Sequence, residues 1–173
     1  MSTRTLFRGA RLLDPASGLD EVGDLLVVDG MIGACGAMAT HGKGLGADGG
    51  PHDFAIVDCA GLCLAPGLVD MRVQLREPGA EHQETMATGG LAAAAGGITT
   101  MVALPNTDPV IDEVALVESV ARRSRAIGLA NIRTYAAATR GTQGRDLTEM
   151  GLMAEAGAVG FTDGACGRST PQP

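Results

Sequence analysis

Aromatic residues are almost absent from this sequence. It holds one Tyr, three Phe and no Trp, so any core must be built from Ala, Val, Leu, Met and Gly. Basic residues are also scarce: 13 Lys and Arg stand against 20 Asp and Glu, a formal net charge of −7. That balance excludes the basic footprint expected of a nucleic-acid binder and argues equally against attraction to an anionic membrane surface. No apolar run approaches the roughly 18 residues of a membrane span. The stretch from Met1 to Arg8 lacks the charged and apolar regions of a secretory signal. Cysteines number four: Cys35, Cys59, Cys63 and Cys166. Cys59 and Cys63 have C-x-x-x-C spacing, but no second Cys or His pair stands at a usable distance. Both lie in an apolar run, where Cys reads as a small core residue. The reading is a reduced, cytoplasmic protein. The 45 % of hydrophobic residues is enough for a core, and 173 residues is a prior for one domain.

What is present divides at Pro66-Gly67. Before it, short apolar runs end in turn residues: Thr5–Phe7 before Gly9, Arg11–Leu13 before Asp14-Pro15, Leu25–Asp29 before Gly30, and Met31-Ile32 before Gly33. These predict small strands in hairpins. Residues 37–53 are glycine-rich and predict a loop, and Ala55–Asp58 and Leu62–Leu64 predict two more strands. After Gly67 the rhythm changes to strands at Leu68–Leu75, Ile98–Leu104, Asn131–Ala137 and Ala158–Thr162, alternating with helices at Glu84–Ala95, Asp112–Ile127 and Asp146–Ala156. Glycines follow each helix, and Val114, Val117, Val120 and Ala121 recur at helical spacing. Strand–helix alternation predicts an α/β fold with a parallel sheet. Four strands are half of a (β/α)8 barrel, the first four, preceded by a small β domain. The expected domains are therefore 1–66 and 67–173.

In such barrels the chemistry sits at the C-terminal strand ends. The first reads Asp70-Met71-Arg72-Val73-Gln74-Leu75-Arg76-Glu77-Pro78-Gly79, the second Leu104-Pro105-Asn106-Thr107, and the fourth Phe161-Thr162-Asp163-Gly164. With Gly96-Gly97-Ile98-Thr99-Thr100 and Ala156-Gly157-Ala158-Val159-Gly160 in the same order, these blocks resemble the dihydroorotases, which are cyclic amidohydrolases. The hairpins ahead of them resemble the small β domain that precedes the amidohydrolase barrel.

The family carries His-x-His on its first strand, two imidazoles on one side that share a zinc ion. Here those positions hold Arg72 and Gln74. A guanidinium does not lose its proton and is no ligand, and an amide oxygen is a weak one. The family's fourth strand ends Thr-Asp-Asp-Gly, and its second Asp, a metal bridge in one branch, aligns with Gly164. Asp163 is the nearest carboxylate and replaces it only if the strand slips by one residue. The other family ligands lie on later strands, beyond Pro173, and Arg168–Pro173 does not continue a barrel.

The resemblance therefore implies no cofactor here, although the family uses zinc, and no catalytic residue. It implies a vestigial substrate site in which Arg76 holds a carboxylate and Asn106 hydrogen-bonds it. The plainer readings are an ion pair of Arg76 with Glu77 or Glu81, and a turn role for Asn106. His41, His52 and His82 read as solvated, and Gly46–Gly50 lacks the features of a phosphate loop. Dihydroorotase-like proteins without metal ligands are non-catalytic partners of aspartate carbamoyltransferase in pyrimidine biosynthesis, and the resemblance implies that role here. The alternative is a truncated fragment of a zinc-dependent dihydroorotase that interconverts N-carbamoyl-aspartate and dihydroorotate. An open half-barrel further implies self-association, with Val69, Val73, Val102 and Leu104 expected wet on its inner face.

Overall fold

The structure is a computed structural model and describes residues 3–36 and 55–164. The expected loop at 37–53, together with His41, His52, Cys166 and the closing residues 168–173, lies outside them. The chain divides into two compact units, Met1–Pro66 and Gly67–Pro173.

The first unit is a five-stranded sheet. β1 (Arg4–Asp14) and β2 (Leu19–Val28) form an antiparallel hairpin, and β3 (Met31–Gly36) pairs with the far side of β2. β4 (Ala55–Asp58) and β5 (Cys63–Leu64) run parallel to β1 along its other edge. The two short strands expected at Thr5–Phe7 and Arg11–Leu13 are one strand. A bulge between Phe7 and Ala10 interrupts the ladder without ending it, and the Gly9 N–H is satisfied by the Asp24 carboxylate at 2.8 Å. The turn out of β1 is held by the Asp14 carboxylate, which accepts from Ala16 N and Ser17 Oγ. Ala10, Leu12, Leu25 and Cys59 form the core of this unit. Cys59 is the small core residue its context predicts, but Cys63 is exposed, because β5 lies at the sheet margin.

The second unit holds three parallel strands in the order β6 (Leu68–Val73), β7 (Ile98–Ala103), β8 (Asn131–Thr134), linked by α1 (Met86–Ala95) and α2 (Val114–Ile127). α1 starts where Thr85 and Thr88 cap each other, the Thr85 hydroxyl accepting from Thr88 N and the Thr88 hydroxyl from Thr85 N. It buries Met86, Gly89, Gly90 and Ala93, the i, i+3, i+4, i+7 stripe of one face. α2 buries Val117, Val120 and Ser124, and its Ser124 hydroxyl accepts from Ile132 N at 2.8 Å. These faces meet Leu75, Met101, Ile132 and Met153 in one core. Each such side chain contributes about 1.5–3 kcal/mol by leaving water.

All three helices start later than their periodicity predicts: α1 at Met86 and not Glu84, and α2 and α3 for tertiary reasons. Asp112 does not enter α2, because its carboxylate accepts from Gly141 N at 2.8 Å and Glu113 is extended. α3 spans only Met150–Glu155. The preceding residues are drawn into a loop closed by a Thr139–Leu147 bridge and by Thr148 Oγ1 donating to Ala137 O. The expected fourth strand is reduced to a single parallel bridge, Ala136 to Phe161, with Val159 N donating to Thr134 O and Thr162 N to Ala136 O. Gly160 sits in the middle of it, and a Cβ there would stand 3.1 Å from the Tyr135 ring.

Strand alternation separates two faces. Val73 and Leu75 join the helix-side core, so Val73 is not on the face predicted for it. Val102 and Leu104 are each 7 % exposed, not wet, whereas Val69 is 59 % exposed as expected.

Glu77 ties the unit together after β6. One carboxylate oxygen accepts from Arg123 Nε of α2 at 2.6 Å, and the other from Met86 N at the start of α1 at 2.7 Å. Glu77 is mostly buried and Arg123 more than half exposed. Glu77→Ala is therefore expected to lower stability by about 1–3 kcal/mol, because it strands a backbone donor. Arg123→Ala is expected to cost under about 1 kcal/mol, as exposed ion pairs do. Urea denaturation of the two variants checks the order, and equal losses would contradict it.

Candidate functional site

The loops that follow β6 and β7 are joined. Asp108 N donates to Pro78 O at 3.1 Å, and Leu104 N donates to Val73 O at 2.9 Å. Between these loops and the end of β8 lies a cavity of about 280 Å3 lined by Met71, Arg72, Leu104, Tyr135, Thr162 and Gly164. It lies at the C-terminal strand ends, where a parallel α/β fold gathers its chemistry.

Arg72 is exposed and lines the cavity; its backbone N–H is held by the Asp70 carboxylate at 2.9 Å. Gln74 is exposed just past the end of β6. Asp163 does not replace the carboxylate missing at Gly164. Its two oxygens accept from Thr139 N and Thr139 Oγ1, both at 2.9 Å, and the Thr139 hydroxyl in turn accepts from Gly144 N at 2.8 Å. Gly164 has φ +73°, a conformation an Asp adopts only under strain, and its position faces the Asn106 Cβ. Among the described residues no three His, Cys, Asp or Glu side chains stand close enough to share a metal ion. The residues present do not fit a zinc site: a permanent cation, a neutral amide and a glycine occupy the three positions, and the adjacent carboxylate is committed elsewhere.

Arg76 is partly buried, and its side chain pairs with neither Glu77 nor Glu81. Glu77 is taken by Arg123, and Glu81 accepts from Gly79 N at 3.0 Å, which holds its carboxyl below the usual range. Asn106 sits in a tight turn in which Thr107 N and Ile111 N both donate to Pro105 O. Its Oδ1 is sealed from solvent and has no hydrogen-bond partner, an arrangement that leaves an acceptor's desolvation uncompensated. His82 is exposed beside Gln83.

Sequence reasoning missed Tyr135, Thr139 and Arg123. Tyr135 had a signal, being the single tyrosine of the chain at the end of a predicted strand. The Asp163–Thr139 and Glu77–Arg123 pairings join residues 24 and 46 positions apart and had none.

If Asp163 is a staple for the 139–148 loop, Asp163→Ala frees the Thr139 N–H and is expected to cost about 1–3 kcal/mol locally. Hydrogen exchange by mass spectrometry should then accelerate in residues 139–148 and not in β1. Unchanged exchange in that loop would count against the role.

The sequence model of a family described as dihydro-orotase-like matches residues 61–170. Curated relatives described as dihydroorotases include those of Pelobacter propionicus, 46% identical over 91% of this chain, and of Geobacter sulfurreducens and Streptococcus pneumoniae, each 44% identical over 91%. These matches cover 35% of each relative, so the chain spans about a third of their length. Among solved structures, an L-hydantoinase (dihydropyrimidinase) from Arthrobacter aurescens superposes on 93% of this chain and 32% of its own with a TM-score of 0.68 at 23% identity. That likeness shows the fold, a partial amidohydrolase barrel with its preceding β domain. The chain belongs to the dihydroorotase-like family of cyclic amidohydrolases.

Proposed function

We propose that this chain is part of a dihydroorotase-like protein of pyrimidine biosynthesis that performs no ring chemistry, a pseudoenzyme, and acts in the cytoplasm as a structural partner of aspartate carbamoyltransferase. The observation that carries the reading is Arg72 in the cavity at the first strand end. Metal-assisted hydrolysis needs a cation held by neutral or anionic donors. A guanidinium roughly 4 Å from a divalent ion opposes it by on the order of 8 kcal/mol at an effective dielectric of about 20. Gln74 and Gly164 supply nothing to offset that. Arg76 and Asn106 are the residues of the vestigial carboxylate site.

The partner role draws support from β6. Among the described residues it pairs only with β7, and Leu68, Val69 and Met71 are 62%, 59% and 62% exposed. An open parallel edge with large apolar side chains favours association, with another chain or with itself. No helix among the described residues is long and apolar enough to cross a membrane. The competing reading, a segment of a zinc-dependent dihydroorotase, draws on the 46% identity to a relative of that description.

The test is size-exclusion chromatography with light scattering of the purified chain, alone and with aspartate carbamoyltransferase, alongside an assay for dihydroorotate turnover. The expected outcome is a stable complex, weakened in Val69→Asp and Met71→Asp, with no turnover above the uncatalysed rate. Turnover would overturn the non-catalytic reading, and separate elution of the two proteins would overturn the partnership.

A further inference from the structure

We propose that the cavity at the ends of β6, β7 and β8 is a receptor for a small oxyanion, a carboxylate or phosphate group gripped by the Arg72 guanidinium. The proposal rests on the non-catalytic reading and says what the altered centre holds instead. Of the six residues lining the cavity, Arg72, Tyr135 and Thr162 are polar, and none is acidic. The hydroxyl oxygen of Thr162 accepts from Gly164 N at 3.1 Å, which leaves its own O–H free to donate. A phenol and a forked guanidinium add further donors, so the lining is rich in donors and, among the described residues, lacks negative charge.

The acidic residues nearby do not neutralise Arg72. Asp163 adjoins two lining residues, but both its oxygens are turned to Thr139. Asp70 accepts from the Arg72 backbone N–H, and among the described residues no carboxylate comes within ion-pair distance of the Arg72 guanidinium. Met71 and the nearly buried Leu104 supply apolar walls. A guanidinium beside such walls, with its fork unused, is the geometry that binds carboxylate or phosphate through two parallel hydrogen bonds. A volume of about 280 Å3 is ample for a small anion. This site is distinct from the carboxylate position assigned to Arg76, which does not line the cavity.

The experiment is isothermal titration calorimetry of the full chain at low ionic strength with inorganic phosphate and, separately, succinate. The expected result is saturable binding of one anion per chain for at least one of the two, and the stronger binder identifies the source chemistry. Arg72→Gln should weaken that binding by about tenfold or more, the loss of a charge-assisted pair. Arg72→Lys should retain part of it, because the charge remains but the fork is gone. Arg122→Gln, which removes the same charge from the α2 surface, should stay within about twofold. If Arg72→Gln does not fold by circular dichroism, the Arg72→Lys and Arg122→Gln comparison carries the test. Absence of saturable binding, or equal affinity in the Arg72 variants and the wild type, overturns the receptor. Dihydroorotate turnover measured on the same preparation separates the two ideas. Turnover would sink the non-catalytic reading, whereas an inert chain that binds no anion would sink the receptor alone.

Discussion

The irregular end of β6, where the pairing with β7 breaks step between Asp70 and Val73, governs most of what this chain can do. Val73 and Leu75 face the helices and join the core with Met86, Val117 and Ile132. Arg72 opens onto the cavity together with its neighbour Met71, and with Leu104 and Tyr135, because the pairing of β6 with β7 is irregular between Asp70 and Val73. That strand end carries a fixed positive charge to the cavity.

Around that strand the polar chain makes a small set of long-range connections that stand in for aromatic bulk. Glu77 joins the first loop to both α1 and α2, Asp112 fastens the 139–148 loop, and Asp163 anchors Thr139. Each leaves a helix or strand shorter than its local pattern alone would make it. Asp163 is the clearest case: it anchors the loop after Thr139, and its two oxygens are used up in the fold.

Much of this was legible in the sequence, and the legible parts share a cause. Ile98 and Asn131 begin strands, and Ala95 and Ile127 end helices, as their patterns predict, because glycines at 96 and 128 terminate helices locally. The residues at the altered centre, Arg72 and Gln74, could be read from period-2 spacing and motif position. The helix starts at Met150 and Val114 could not, since tertiary hydrogen bonds to Thr148 and Asp112 set them. The fourth strand is reduced to the single bridge of Ala136 with Phe161, which its apolar run gave no sign of. The expectation that Val102 and Leu104 would be wet was wrong: each is 7 % exposed.

The central claim is that this site has exchanged a metal's donors for a fixed cation. Equilibrium dialysis of the purified chain against zinc, with elemental analysis of the retained fraction, tests it most directly. The account predicts no saturable zinc at micromolar concentration. It predicts the same for Arg72→Ala, since Gln74 and Gly164 still leave too few donors. About one tightly held zinc per wild-type chain would contradict it.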